Sequence, residues 1–252
     1  MEPKNLKPIT ISNSIWYFIV SCAVIYLGLY GITPLLLESG IPFFVAYLIF
    51  FHIPLFLLLI TALIMYRSEG NNWNWQEFKE RMYLRRMKGM DWLWAIGLFF
   101  FGMLAYAFLQ PVIKEMAHIS FFSPPDFFPA GFNPNKEGIP GYMMDYRLSG
   151  QYWVIISYLF AWITNILGEE LLFRGIILPR QIKKYGKFGW IYHGLLWGSW
   201  HFFAKWNLVF VFPLAFAFSY TIYKRKNLWI TIFVHGLMNF ISVLMVTLDV
   251  MK

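Results

Sequence analysis

The sequence predicts an all-α protein, a multi-pass transmembrane bundle of about seven to eight membrane helices with an amphipathic helix on its cytoplasmic side. Two observations support this prediction: 59% of the 252 residues are hydrophobic, and only 13% are charged. Soluble domains carry roughly 25% charged residues, and a soluble globule could not hide so much apolar surface. Disordered and collagen-like chains are also excluded, and the single cysteine, Cys22, excludes a disulfide scaffold.

Seven apolar runs define the expected spans, and residues 1–252 are treated as a single membrane domain. Three runs lie in the N-terminal part, residues 1–110, and four lie in residues 151–248. The fifth and sixth runs are shorter than the about 20 residues that a bilayer core requires, and only Ala204–Asn207 separates them. The runs are Ile15–Leu37, Pro42–Tyr66, Trp92–Gln110, Tyr152–Leu178, Trp190–Phe203, Leu208–Tyr223 and Leu228–Leu248.

The first run is interpreted as a membrane span. Residues Ile19–Cys22 resemble a lipoprotein cleavage site, which is the alternative interpretation. The apolar stretch continues well past Cys22, where a signal peptide would end. We therefore expect this run to cross the membrane.

The basic residues predict the orientation of the chain. If the N-terminus is cytoplasmic, most Lys and Arg residues fall in cytoplasmic segments, as the positive-inside rule requires. We therefore expect a multi-pass protein of the cell membrane whose net charge of +8 faces anionic lipids rather than nucleic acid. The inside residues are Lys4, Lys7, Arg67, Lys79, Arg81, Arg85, Arg86, Lys88, Arg180, Lys183, Lys184, Lys187, Lys224, Arg225 and Lys226; the outside residues are Lys114, Lys136, Arg147, Lys205 and Lys252.

Two connections between the runs are long. Residues Ser68–Asp91 mix charges with large apolar side chains at a spacing that predicts an amphipathic helix on the inner leaflet, with a plain solvated loop as the alternative. Residues 111–150 are rich in Pro and Gly. We expect them to form an extracytoplasmic loop without a core of its own.

Ionisable side chains inside a bilayer are costly and indicate function by default. The fourth run contains Glu169, Glu170 and Arg174. Glu170 and Arg174 are four residues apart on a helix, so we expect them to form an ion pair. Glu169 is rotated about 100° from Glu170 and stays free of that pair. A free carboxylate in a dry site is a good proton acceptor near neutral pH.

Later helices bring further polar groups to the same depth. The fifth run contributes His201, and the seventh contributes His235 and Asn239, four residues apart on one face. At 1.5 Å per residue, these groups and Glu169 lie roughly 10–16 Å from the inner ends of their helices. We therefore expect them to line one water-filled cavity near the midplane. The remaining histidines are interpreted as packing or solvated residues: His52, His118 and His193.

The order of these motifs resembles the CAAX prenyl protease and bacteriocin-processing (CPBP) family of intramembrane endopeptidases, also called Abi proteins. The family pattern Glu-Glu-x-x-x-Arg matches Glu169, Glu170 and Arg174, and the pattern His-x-x-x-Asn matches His235 and Asn239. In the pattern Phe-x-x-x-His, His201 is in place. Trp197 stands where the family usually has Phe. The resemblance covers the motif-bearing half, about residues 152–248.

The resemblance implies roles for the motif residues. Glu169 would be the general base for a water molecule that His201 orients or shares. His235 and Asn239 would donate hydrogen bonds to the oxyanion that forms on the scissile carbonyl. Glu170 and Arg174 would support this arrangement structurally.

The sequence leaves open whether the site requires a metal ion. Glu169, His201 and His235 together are a donor set that zinc or another divalent metal accepts. However, the chain lacks a His-Glu-x-x-His motif, and members of the family also resemble glutamate-dependent proteases. We favour a mechanism that requires no cofactor.

Three functions remain as hypotheses. The first is an endopeptidase that acts on a peptide or protein substrate, such as a prenylated C-terminus or a leader or bacteriocin peptide. The second is a non-catalytic scaffold or bacteriocin-immunity-type protein on the same fold. The third is a small transporter, although inverted repeats typical of transporters are not evident.

Overall fold

A computed structural model describes residues 6–252 and confirms an all-helical membrane bundle. Lys4, one of the basic residues used to predict the orientation, lies outside the described residues. Within residues 6–252, five helical stretches are long and apolar enough to cross a membrane. One of them, Tyr152–Arg225, runs for 74 residues and is interrupted by non-α segments. It therefore contains several successive helices that together hold most of the motif residues.

Helices α1 (Ile11–Glu38) and α2 (Phe43–Ser68) each contain a π-helical turn, Leu27–Ile32 and Leu48–His52 respectively. A π-helical segment, Glu170–Ile177, joins α5 to α6, and a 3₁₀ segment, His201–Asn207, joins α7 to α8. The elements are α1 Ile11–Glu38, α2 Phe43–Ser68, α3 Trp75–Arg81, α4 Gly89–His118, β1 Tyr142–Met143, β2 Tyr146–Arg147, α5 Tyr152–Glu169, α6 Leu178–Tyr185, α7 Gly189–Trp200, α8 Leu208–Arg225 and α9 Leu228–Met251.

The basic connections meet at one end of the bundle, which we call the basic end. Arg180 lies 3.8 Å from Glu69, which follows α2, and Arg225 at the end of α8 pairs with Asp91 at the start of α4 at 2.7 Å. The backbone N–H of Ile9 donates to the Arg180 carbonyl. The connections assigned to one side of the membrane from their charge thus lie together.

At the opposite end, the long connection after α4 folds against the bundle rather than standing free of it. Phe128 is fully buried, and its ring contacts Tyr30 of α1 and Trp206 of the 3₁₀ segment. The strands β1 and β2 form a two-stranded antiparallel hairpin within this connection. The connection therefore shares the apolar core of the bundle.

Two boundaries differ from the sequence predictions. Helix α4 continues through Pro111 to His118, whereas we expected the loop to begin at Pro111. Proline removes only one helical hydrogen bond, and apolar surroundings offer no water to satisfy a longer break. Within Ser68–Asp91, where we expected an amphipathic helix, the structure contains the seven-residue helix α3. It begins after Asn74, whose side chain caps it by accepting from the backbone N–H groups of Gln76 and Glu77.

The break between α7 and α8 is also longer than predicted. We expected it at Ala204–Asn207, but the 3₁₀ geometry already begins at His201. Ala204 leaves helical geometry altogether, with φ −126° and ψ 56°. As a result, His201 lies at the end of α7, where the helix axis changes, instead of in the middle of a regular span.

Candidate active site

The two adjacent glutamates have different partners, as their 100° separation on a helix predicts. Glu170 is fully buried, and its Oε1 accepts from Arg174 Nη1 at 2.5 Å. The same oxygen contacts His235 Nδ1 at 2.9 Å. The predicted Glu170–Arg174 ion pair is present, and it extends across to helix α9 through His235. Glu170 therefore connects two helices as well as neutralising Arg174.

Glu169 is 97% buried but belongs to no ion pair within the described part of the chain. Its Oε2 accepts a hydrogen bond from the indole Nε1 of Trp197 at 3.0 Å. Trp197 stands where the family usually has Phe, which has no donor to offer. The family pattern did not lead us to expect this hydrogen bond. The indole N–H itself was the available signal.

Trp197 is the centre around which the site residues gather. The Arg174 guanidinium lies over its ring at 4.0 Å from the ring centroid. The imidazole rings of His201 and His235 lie 4.6 and 6.3 Å from it, centroid to centroid. Side chains from α5, the π-helical segment, α7 and α9 thus meet at one level, as the depth estimates predicted.

The hydrogen bonds define the tautomers of the two histidines when they are neutral. His201 Nδ1 lies 2.9 Å from the Trp197 carbonyl, which can only accept, so Nδ1 carries the proton and Nε2 is an acceptor. His235 Nδ1 likewise donates to the Glu170 carboxylate. Neutral His235 therefore presents Nε2 as an acceptor, and Nε2 donates only when the ring is charged.

Local geometry brings these side chains into the bundle. A Cβ added to Gly168 would lie 2.4 Å from the Leu55 carbonyl, so only glycine permits α5 to approach α2 this closely. The π-helical segment Glu170–Ile177 follows immediately, and such segments are frequent at functional sites. On the other side of α5, Trp162 Nε1 donates to the Gly236 carbonyl of α9 at 2.9 Å. Both contacts determine the register at which Glu169 faces α7 and α9.

Asn239 lies one helical turn beyond His235 on α9 and is partly buried. Its side-chain amide makes no hydrogen bond to any residue in the range 6–252. The structure thus brings Glu169, His201 and His235 together around Trp197. It places Asn239 on the adjoining turn with its amide still available to a ligand.

The candidate metal ligands do not form a metal site as they stand. Among residues 6–252, no three His, Cys, Asp or Glu side chains come together in a group that could hold a metal ion. The outward Nε2 atoms of His201 and His235 have the orientation that metal-binding histidines use. However, Glu169 Oε2 is engaged by Trp197, and Glu170, the carboxylate bound to His235, is paired with Arg174.

An apolar cavity of about 560 Å³ lies beside the site between α1 and α7, and Phe18, Cys22, Leu196 and Trp200 contribute to its lining. Its walls are almost entirely hydrocarbon. The predicted water-filled cavity between Glu169 and the histidines stays a prediction.

The remaining histidines differ from one another. His193 is fully buried and its Nδ1 contacts Gln181 Oε1 at 2.8 Å, which confirms a packing role. His118 is the exposed last residue of α4. The prediction of a packing hydrogen bond for His52 is wrong for the described residues, because neither ring nitrogen has a partner there. The His52 ring is instead surrounded by aromatic rings, including that of Tyr47 at 5.0 Å.

Fold and site together define a membrane protein with carboxylates, imidazoles and an amide gathered inside a helical bundle. A sequence model of the family "Type II CAAX prenyl endopeptidase Rce1-like" matches residues 151–241. This match confirms the CAAX prenyl protease resemblance, and the matched segment contains all six motif residues. The segment is similar at the family level to CAAX-protease-like intramembrane endopeptidases. No curated protein and no solved structure gives a significant match to the chain.

Proposed function

We propose that this protein is an intramembrane endopeptidase that hydrolyses a peptide bond with water activated by Glu169. The observation that supports this most strongly is the contrast between two neighbouring carboxylates. Glu170 is neutralised by Arg174 and bound to His235, whereas Glu169 is held by one neutral donor beside two imidazoles. A buried carboxylate without a cationic partner is suited to accept a proton.

In the proposed reaction, a water molecule lies between Glu169 and His201. Glu169 removes one proton as the water oxygen attacks the scissile carbonyl carbon, and His201 Nε2 accepts the hydrogen bond of the second hydrogen. The tautomer imposed by the Trp197 carbonyl leaves that lone pair free. When the carbon–nitrogen bond breaks, the proton held by Glu169 passes to the leaving amine.

The oxyanion of the tetrahedral intermediate requires donors, and α9 supplies two candidates. Asn239 donates from its amide. His235 donates from Nε2 in its charged form, because Nδ1 is bonded to Glu170. The adjacent carboxylate of Glu170 stabilises that positive charge. Glu170 and Arg174 are thus positioning residues that act through His235.

We propose that this chemistry requires no metal. A metal on Glu169, His201 and His235 would act as a Lewis acid on the carbonyl or on the water. Those three side chains do not come together in a metal-binding group within residues 6–252. The residues present therefore fit the general-base mechanism better.

The proposed substrate is a peptide or protein segment that reaches the bundle from the membrane, such as a prenylated C-terminus or a leader or bacteriocin peptide. The basic end would face the cytoplasm and place the N-terminus there, in the cell membrane. The grouping of Arg180 and Arg225 with the connections after α2 and α8 supports this orientation.

The test is cleavage of a peptide library by the purified protein in detergent, with Glu169→Gln as the matched variant. We expect wild type to cleave and Glu169→Gln to lose on the order of 10³-fold in kcat/KM, because a general base contributes about 10²–10⁴-fold. Both proteins should show similar melting temperatures, since the glutamine Oε1 can still accept a hydrogen bond from Trp197.

Each contrary outcome favours another hypothesis. Wild type that cleaves nothing, while alanine variants of Glu169 and His235 keep biological activity, would indicate a scaffold or immunity-type protein. Ion or solute flux through liposomes containing the protein would indicate a transporter.

A further inference from the structure

Helices α5 and α9 face each other with polar side chains at three successive levels. Nearest the basic end, Glu170 on the α5 side bonds to His235. Towards the opposite end, the Tyr158 hydroxyl of α5 interacts with the hydroxyl groups of Ser242 on α9 and Tyr47 on α2. At both of these levels polar side chains of the two helices interact, although Glu170 Oε2 accepts no hydrogen bond from residues 6–252.

The middle level differs, because neither of its two side-chain amides makes a hydrogen bond to a residue in the range 6–252. Asn165 of α5 and Asn239 of α9 lie between these two levels along their helices. Asparagine side chains can hydrogen-bond across packed membrane helices. Asn165 Oδ1 is sealed from solvent and accepts no hydrogen bond from the residues 6–252. An unpartnered buried acceptor is costly, so a native one calls for an explanation.

The position of Asn165 connects it with the reaction site. It precedes Glu169 by four residues, so both lie on the same side of α5, about 6 Å apart along the helix axis. The neighbouring anchor from Trp162 to the Gly236 carbonyl holds this turn of α5 against α9 at the level of His235. The open carbonyl therefore lies about one helical turn from Glu169, on the part of α5 that packs against α9.

The unpartnered atom, Asn165 Oδ1, determines which chemical groups could bind to it. Oδ1 is an acceptor, so its partner is an N–H or O–H group. A peptide that enters a dry site brings backbone N–H groups that lose water and require acceptors. Under the proposed mechanism, the attacking water already has Glu169 and His201 as acceptors. A substrate N–H is then the donor that still lacks a partner.

We propose that Asn165 Oδ1 accepts a hydrogen bond from a backbone N–H of the peptide substrate, beside the bond that is cleaved. This inference rests on the proposed endopeptidase function and adds a substrate-binding residue to it. The predicted consequence is that Asn165 recognises the peptide backbone and tolerates different side chains.

The test combines a variant with a modified substrate. Asn165→Leu removes the acceptor at nearly constant volume, and Thr164→Val is the matched control, because Thr164 bonds only within its own helix. The probe is the shortest library peptide that wild type cleaves, together with versions methylated at one backbone nitrogen each. Melting temperatures show whether each variant folds, and Asn165→Ala serves as the second variant if Asn165→Leu does not.

We expect Asn165→Leu to lower kcat/KM about tenfold, chiefly through KM, the typical effect of one lost hydrogen bond in binding. Methylation of the peptide at one nitrogen should lower kcat/KM about tenfold for wild type and Thr164→Val. For Asn165→Leu the same methylation should lower kcat/KM less than twofold, because the hydrogen bond is already lost. Equal methylation penalties in wild type and Asn165→Leu at every position would overturn the inference alone. Absence of any wild-type cleavage would overturn the proposed function and the inference with it.

Discussion

Two buried carboxylate–arginine pairs in this bundle make an instructive comparison. At the basic end, Arg81 uses Nε and Nη2 on Glu69, at 2.5 and 2.7 Å, and Nη1 on the Gly175 carbonyl at 2.9 Å. In the bundle interior, Arg174 uses only Nη1, on Glu170, and its Nε and Nη2 find no acceptor among the described residues. In the first pair, each of the three arginine nitrogens has an acceptor.

The Glu69–Arg81 pair has a structural role, whereas the Glu170–Arg174 pair is connected to a residue of the proposed reaction. The Glu69–Arg81 pair holds α3 against the π-helical segment through the Gly175 carbonyl. Neither side chain of this pair bonds to a candidate site residue. The Glu170 oxygen that binds Arg174 also binds His235, so this pair sets the tautomer of a proposed oxyanion donor. Equal substitutions in the two pairs should therefore have unequal effects on activity.

The largest expected effect comes from Glu170→Gln compared with Glu69→Gln. Each change leaves a buried arginine without its carboxylate, which costs about 3 kcal/mol and lowers the melting temperature by about 10 °C. Glu170→Gln should also lower kcat/KM by about 10–100-fold, because His235 loses the carboxylate that orients it. Glu69→Gln should keep the kcat/KM of the folded protein within about twofold of wild type.

Thermal melts in detergent and cleavage rates normalised to folded protein measure these outcomes. Equal losses of kcat/KM in Glu170→Gln and Glu69→Gln would show that the Glu170–Arg174 pair has no special role in cleavage.

A smaller effect is expected from Trp197→Phe, with Trp200→Phe as its matched control. Both indoles are 98% buried and donate one hydrogen bond, Trp197 to Glu169 and Trp200 to Ser21 Oγ at 2.8 Å. Trp197→Phe should lower kcat/KM about tenfold, because a hydrogen bond to a charged group is worth about 1.5–3 kcal/mol. Trp200→Phe should affect stability and leave cleavage near wild type.

The rates of the two tryptophan variants on one peptide measure this difference. If Trp200→Phe reduces cleavage as much as Trp197→Phe does, the indole bond to Glu169 has no special role.

The smallest expected effect is that of metal removal. Under the general-base mechanism, treatment with a strong chelator should leave kcat/KM unchanged, and elemental analysis should find less than one zinc per chain. Loss of cleavage that added zinc restores would instead assign Glu169, His201 and His235 to a metal.

Sequence patterns predicted much of this molecule because isolated polar residues stand out on apolar helices. The membrane class, the Glu170–Arg174 pair and the meeting of Glu169, His201 and His235 followed from composition, helical period and depth. The indole bond to Glu169, the contact of His235 with Glu170 and the Arg81 bond to Gly175 did not. They depend on the rotation of separate helices about one another and on a π-helical segment, which packing determines.

Asn165 illustrates the limit most clearly. In the sequence it is one more polar residue in an apolar run, with no motif to distinguish it. Its significance arises only from the packing of α5 against α9, where polar side chains of the two helices interact above and below it and its own carbonyl has no partner among the described residues.

The most direct measurement of the central claim is a single-turnover cleavage in water enriched in oxygen-18, with enzyme in excess over peptide. If Glu169 acts as a general base, the new carboxylate of the product contains one heavy oxygen after the first turnover, and Glu169→Gln forms product on the order of 10³-fold more slowly than wild type. An unlabelled product with the heavy oxygen left on Glu169, or cleavage by Glu169→Gln at the wild-type rate, would contradict a general-base role for Glu169.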